Sequence, residues 1–186
     1  MIRTIYTEPL TPTAFAPFGD VLEAVGAPDK MINQGLCGRF HDRAKLDFGD
    51  ARAGLSIFQA QARSLPYILD LIERHPEGSQ AFLPLSEHPF LVIVAPDCQS
   101  KPRAFLTNGR QGINFHRGTW HGVLTPLYAP GLFAVVDRIG LTANLEEFTF
   151  SSPWEVLQSN ETDASKTTAK KKRFTKEIQL GRTGNG

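Results

Sequence analysis

Cysteine is scarce in this chain: Cys37 and Cys98 are the only two in 186 residues. Two thiols make no disulfide framework, and as they form no CxxC pair they offer neither a redox motif nor half of a zinc knuckle. Both are expected to be free and reduced. Long hydrophobic runs are missing too; the longest, such as residues 91–95, fall far short of the roughly 20 apolar residues that span a bilayer. Residues 1–10 alternate apolar with polar side chains and have no uninterrupted apolar stretch ending in small residues, so no secretory signal is expected and a cytoplasmic location is. Internal repeats, sustained helical periods and a DNA-binding helix pair are all lacking, which argues against a solenoid, a bundle and a transcriptional regulator.

Charge of one sign is lacking overall, with a formal net charge of +1. That balance hides an asymmetry. Residues 156–186 hold seven Lys or Arg against three acids, or +4, which leaves −3 for residues 1–155. The same segment is rich in Ser, Thr, Asn and Gly with no apolar period, so residues 156–186 are expected to be a basic, solvated C-terminal tail and residues 1–155 a single domain. The run at 170–173 is read as a solubilising feature of that tail, and neither nucleic acid nor a membrane is expected as a partner.

What residues 1–155 do contain is a succession of short β-rich stretches punctuated by Gly, Pro and Asn. Strands are predicted at 2–6, 20–23, 55–60, 67–75, 79–85, 90–95, 103–106, 113–115, 132–137 and 146–150, a pattern that fits a barrel or sandwich. Thr11 followed by Pro12 is a helix start, with Thr as N-cap and Pro at the first helical position; Pro17 and Gly19 stop it within two turns, so a small lid helix is expected. Asn108-Gly109 tolerates the positive φ of a tight hairpin turn and is expected to join two antiparallel strands. Most of the 13 phenylalanines fall on apolar phases of the strands and are read as core.

Against this background, residues 116–121, His-Arg-Gly-Thr-Trp-His, place two imidazoles around a glycine turn. In a strand over 67–75, strict alternation puts Leu69, Leu71, Glu73 and His75 on one face, so a carboxylate and an imidazole follow two apolar residues inward. A hairpin through residues 76–79 would bring Gln80 beside His75, and a barrel would bring His121 up to both. Glu73, His75, Gln80 and His121 then converge as four N or O donors. Each also has a structural reading: Glu73 paired with Arg63 or Arg103, Gln80 bonded to neighbouring main chain, His41 and His88 solvated in polar loops, and Trp120 a pocket wall.

Three stretches resemble the ureidoglycolate lyase family: Glu73, Arg74, His75, Pro76, Gly78, Ser79, Gln80, Ala81, Phe82 and Pro84; Asn114, Phe115, His116, Arg117, Gly118, Thr119, Trp120 and His121; and Ile32, Asn33, Gln34, Gly35 with Arg39, Phe40 and His41. The resemblance covers roughly residues 1–155. It implies an all-β cupin, a double-stranded β-helix barrel with one or two short helices, acting as a homodimer that splits ureidoglycolate into glyoxylate and urea in allantoin catabolism. It implies no organic cofactor and allows a divalent metal, nickel in the family, with manganese or zinc equally suited to two imidazoles and oxygen donors. Against the general cupin pattern, Glu73 takes the first His position and Gln80 the Glu position, while His75 and His121 keep theirs. His116 replaces the Pro of the second cupin motif, and Gly122-Val123 replaces a His-Pro that many members carry.

The site residues expected on these grounds are His121, His116 and Glu73 for catalysis and His75, Gln80, His121 and Glu73 for metal. Asn33, Arg39, Ser79, Gln80 and Trp120 are expected to bind substrate, with Arg39 gripping the α-carboxylate. In this scheme His121 or His116 takes the hydroxyl proton, and Glu73 or a second His protonates the leaving nitrogen. Two other functions compete: a hydrolase on the same substrate releasing ammonia and carbon dioxide, and a non-catalytic cupin that binds a small molecule.

Overall fold

The structure, a computed structural model, describes residues 3–159. The expected basic tail falls almost wholly outside these residues, although the last strand continues to Leu157 and buries Val156, past the boundary expected at 155.

The strands are β1 (Arg3–Pro9), β2 (Gly19–Leu22), β3 (Lys30–Ile32), β4 (Cys37–Arg39), β5 (Arg52–Ala60), β6 (Tyr67–Arg74), β7 (Gln80–Pro84) and β8 (Phe90–Ala95). They continue as β9 (Arg103–Leu106), β10 (Gly112–Phe115), β11 (Trp120–His121), β12 (Thr125–Pro126), β13 (Gly131–Ile139) and β14 (Glu146–Leu157). One helix, α1 (Pro12–Phe15), starts as expected: the Thr11 hydroxyl accepts from the Ala14 N–H and Pro12 opens the first turn. It is no lid, because Phe15 is fully buried in the core against Phe18, Phe105 and Phe115.

Seven strands run in the order β11-β6-β14-β1-β9-β8-β12, and β11 also pairs with β8, which closes this sheet into a barrel. Its strands are mixed, β1 lying parallel to both β14 and β9. A second sheet, β2-β10-β7-β13-β5, packs against it, and β3 and β4 form a separate two-stranded ribbon. This is a cupin-like, almost all-β architecture, as the sequence predicted. All ten predicted strands are present; β3, β4, β11 and β12, of two or three residues each, are too short to carry a period.

Strand β8 shows how the layers share one core. Val92 and Val94 face Phe82, Phe105, Phe115 and Phe133 between the two sheets, while Leu91, Ile93 and Ala95 face Leu69, Ile72, Trp120 and Trp154 inside the closed sheet. A strand buried on both faces has no polar phase, hence its unbroken apolar run.

Two connections differ from expectation. Asn108-Gly109 does make a tight turn, with Gly109 at φ 88°, but β9 belongs to the seven-stranded sheet and β10 to the five-stranded one. The turn steps between sheets and closes no hairpin. A side chain at Gly109 would also press within 2.6 Å of the Glu87 carbonyl. Likewise β6 and β7 lie in different sheets, so residues 76–79 are a crossing. The strict alternation assumed for residues 67–75 fails as well: Leu69 and Ile72, three apart, both pack inside the closed sheet. Opposite them β14 breaks register between Thr149 and Trp154, and a bulge of this kind changes which side chains face the core.

Candidate functional site

Glu73 lies on the face opposite its neighbour Ile72, toward the space between the two sheets. Glu73 is the cross-strand partner of His121 on β11, whose neighbour Trp120 turns the other way into the core of the closed sheet. His75 follows the end of β6. Ligand atoms of Glu73, His75 and His121 all lie within 4.8 Å of one another, the one such His, Cys, Asp or Glu group among the described residues. From the other sheet come Gln80 and Phe115, a cross-strand pair at the ends of β7 and β10. The Phe115 ring stacks on His121 at 4.2 Å with an interplanar angle of 4°.

The hydrogen bonds fix the imidazoles. His75 Nδ1 lies 2.6 Å from the Asn144 carbonyl and His121 Nδ1 3.0 Å from the Gly122 carbonyl. A carbonyl only accepts, so each Nδ1 carries a hydrogen, and each ring, when neutral, has its lone pair at Nε2. Among the described residues neither buried Nε2 atom has a hydrogen-bond partner, nor does the buried Gln80 Oε1. Burial pushes the His121 imidazole down to about 3, with nearby His75 adding to the effect against the Gly122 carbonyl, so this ring is neutral at any ordinary pH. Glu73 lies 3.9 Å from His121 Nδ1, beyond hydrogen-bonding distance. Desolvation raises its pKa, Glu147 adding and His75 opposing.

Among the described residues no arginine pairs with Glu73. Arg103 instead holds Glu8 in a two-pronged pair and Arg63 donates to the Tyr67 hydroxyl, so both structural readings of Glu73 are excluded. A carboxylate and two imidazoles with ligand atoms within 4.8 Å of one another are a donor set that fits a borderline divalent ion.

The other expected site residues go elsewhere. His116 lies on the outer side of β10: its Nε2 meets Asp20 Oδ1 at 3.2 Å, and Asp20 Oδ2 accepts from Asn114 Nδ2 and from the Lys45 N–H. Burial alone would raise the Asp20 carboxyl, but these hydrogen bonds outweigh it and the net pKa is lowered. Ser79 is buried and exchanges hydrogen bonds with the main chain of Asp47, which pins the loop after β4. Trp120 is core and not pocket wall, with the Arg74 guanidinium 4.8 Å from its ring. Asn33 and Arg39 sit on the exposed β3–β4 ribbon, where Arg39 contacts His41 at 2.8 Å. The His88 ring lies 5.4 Å from that of Tyr128.

Sequence reasoning missed Phe115 as the platform under His121, Glu147 beside Glu73, and Asn144. The first two follow only from strand register. Asn144 acts through its main-chain carbonyl, for which side-chain identity gives no signal.

No described helix is long and apolar enough to cross a membrane. A cleft of about 470 Å³ on the outside of β2, lined by Asp20, Glu23, Asp42 and Arg43, is separate from the donor group.

The family model described as "Ureidoglycolate lyase" matches residues 2–157. A Rhodobacter capsulatus protein named ureidoglycolate lyase is 61% identical over 156 residues, covering 82% of this chain and 97% of that protein. A Chelativorans protein of the same name is 52% identical, covering 83% and 97%, and one from Stutzerimonas stutzeri is 45% identical, covering 84% and 95%. With the family model matching most of its length and a donor group at the positions where the motifs placed it, the chain belongs to the ureidoglycolate lyase family.

Proposed function

We propose that this protein is an enzyme that cleaves ureidoglycolate to glyoxylate and urea, with the space between the two sheets at Glu73, His75 and His121 as its active site. The observation that carries this reading is the group itself: two lone-pair imidazoles and a desolvated carboxylate, none of them spent on a structural ion pair, in a chain of this family.

Ureidoglycolate is a hemiaminal. Its hydroxyl loses a proton as the C–N bond to the ureido group breaks, and the departing nitrogen gains one. A neutral His121 offers its Nε2 lone pair as the base; the same burial lowers its proton affinity, so it is a weak base whose acquired proton is readily passed on. Glu73, with its pKa raised, is suited to hold a proton and deliver it to the leaving nitrogen. Phe115 and Gly122 hold the His121 ring in place, by stacking and by the Nδ1 hydrogen bond respectively.

The same atoms suit a metal. Glu73, His75 and His121, with Gln80, would hold nickel, manganese or zinc, and a bound ion would supply Lewis-acid polarisation of the hydroxyl and an anchor for the carboxylate. A lone pair given to a cation cannot also take a proton, so the two sets of roles are alternatives. His116, fixed by Asp20 on the outer side of β10, supports neither.

For the assembly we propose a homodimer through the outer face of the five-stranded sheet. There Leu55, Ile57 and Leu83 are exposed on adjoining strands, with Ala134 directly between Ile57 and Leu83. Ile57→Glu is expected to give monomers in light scattering, and an unchanged dimer would place the interface elsewhere.

The functional reading is tested by incubating metal-stripped protein with racemic ureidoglycolate, with and without added nickel or manganese, and following urea, ammonia and glyoxylate. Urea matching glyoxylate is the expected outcome, and its dependence on the ion chooses between the two sets of roles. Ammonia would move the assignment to the hydrolase. Saturable binding without product would leave a binding protein.

A further inference from the structure

The connection between β13 and β14, residues 140–145, carries nothing that the sequence motifs single out, yet it touches His75 directly. The Asn144 carbonyl takes the His75 Nδ1 hydrogen at 2.6 Å, and the Asn144 side-chain oxygen accepts from the Glu77 main-chain N–H at 2.7 Å. The same residue thus binds two points of the chain, 75 and 77, that flank Pro76 at the start of the crossing to β7.

The Glu77 carboxylate is engaged in turn. Its Oε2 forms an ion pair with Arg138 Nη2 at 2.9 Å and accepts from the Thr142 hydroxyl, and Arg138 Nη2 donates to Thr142 Oγ1 at 3.0 Å. Arg138 is only 12% exposed along its side chain. It lies against two glycines: a Cβ on Gly78 would come within 2.7 Å of Arg138 Cβ, and one on Gly140 would strike the guanidinium. Gly78, quoted among the family-like residues but given no role by the chemistry, makes room for this arginine. On the other side of the crossing, Arg117 Nε donates to the Pro76 carbonyl at 2.7 Å and the Gly118 N–H to the His75 carbonyl at 2.9 Å.

We infer that Asn144 is a positioning residue. Its side chain, with the Glu77–Arg138–Thr142 cluster, holds the 140–145 connection so that its carbonyl fixes His75 as the Nδ1–H tautomer, with its buried Nε2 lone pair free of any hydrogen bond among the described residues. The inference deepens the proposed site and rests on His75 belonging to it. The physical reason is that a free neutral imidazole exchanges between two tautomers and rotates about χ2, and only one of those states presents a lone pair at Nε2. A buried hydrogen bond to a carbonyl that cannot itself donate removes the other states.

The test uses the full chain stripped of metal and labelled with ¹⁵N-histidine. In the wild type the His75 nitrogens are expected to show a protonated Nδ1 and an unprotonated Nε2. In Asn144→Ala the two signals are expected to move toward each other as tautomers mix, and in Asn144→Asp, which keeps the acceptor for the Glu77 N–H, to return. Calorimetric titration with nickel(II) is expected to show a dissociation constant roughly 10- to 100-fold weaker for Asn144→Ala, the usual cost of losing an outer-shell partner. Should Asn144→Ala not fold, Glu77→Gln loosens the same connection through its Arg138 contact and is expected to move the His75 signals in the same direction.

A wild-type His75 protonated at Nε2 would overturn the inference. So would an Asn144→Ala protein whose tautomer and nickel affinity are unchanged while only its melting temperature falls. If nickel does not bind the wild type at all, the metal reading fails on its own, and the imidazole signals of the metal-free protein still decide the role of Asn144.

Discussion

Two polar clusters flank β10, and they treat their charges in opposite ways. On the outer side, Asp20 receives hydrogen bonds from Asn114, Lys45 and His116, and its pKa is lowered. On the inner side, Glu73 has no hydrogen-bonding cation among the described residues and its pKa is raised, while His121 is buried and held neutral. The outer cluster contributes to stability: it satisfies a carboxylate and fastens the loop after β4 to the sheet. The inner one costs stability, because it desolvates a carboxylate and leaves two imidazole nitrogens buried without a partner among the described residues. Groups kept at a cost are the better candidates for chemistry. Sequence alone gave the two imidazoles of residues 116–121 equal claim to the reaction, and this contrast separates them.

The largest expected effect is on turnover. His121→Ala is expected to lower kcat by on the order of 100- to 10,000-fold while the circular dichroism spectrum stays native. His116→Ala is expected to stay within about tenfold of the wild type. Equal losses in the two variants would erase the distinction between the clusters.

The next effect is on stability against pH. His121 has a folded pKa of about 3 against 6.5 for the free side chain. The unfolded chain therefore binds a proton between those values that the folded protein refuses, and stability must fall as pH drops through that window. The contribution is on the order of a few kcal/mol by pH 4. Denaturant melts at pH 7 and pH 4.5 are expected to show a smaller loss for His121→Gln than for the wild type, and parallel losses would mean that the ring is more accessible to protons than its burial implies.

How much of this was legible in the sequence divides along the same line. Strands of four or more residues announced themselves because one or both faces are apolar, and Thr11-Pro12 gave the helix start to the residue. The inner group was legible too, since Glu73, His75 and His121 are polar residues at apolar positions. The route to it was not. It assumed an unbroken alternation from 67 to 75 and a hairpin through 76–79, whereas Leu69 and Ile72 share the core of the closed sheet and the two strands lie in different sheets. His116 and Trp120 were misplaced for a related reason. The turn and the short β11 that follow β10 decide which way each side chain points, and a two-residue strand has no period to read.

The smallest and most discriminating comparison pairs two neutral isosteres in the metal-free protein. Asp20→Asn removes the acceptor charge on which Asn114, His116 and the Lys45 N–H converge. It is expected to destabilise by about 1–3 kcal/mol near neutral pH, as for a hydrogen bond to a charged group. Because the folded pKa of Asp20 is lowered, that deficit is present above the unfolded value and vanishes as pH falls through the folded one. Glu73→Gln has the opposite sign. A raised folded pKa means that the ionised carboxylate is disfavoured in the native state, so its cost is absent below the unfolded pKa and complete above the folded one. Removing the charge is then expected to leave the protein at least as stable as wild type at pH 8, and to lose that advantage as pH is lowered past both pKa values. A Glu73→Gln protein less stable than wild type at pH 8 would mean that the carboxylate is structurally partnered after all, and the inner cluster would lose the physical distinction that marks it as the site.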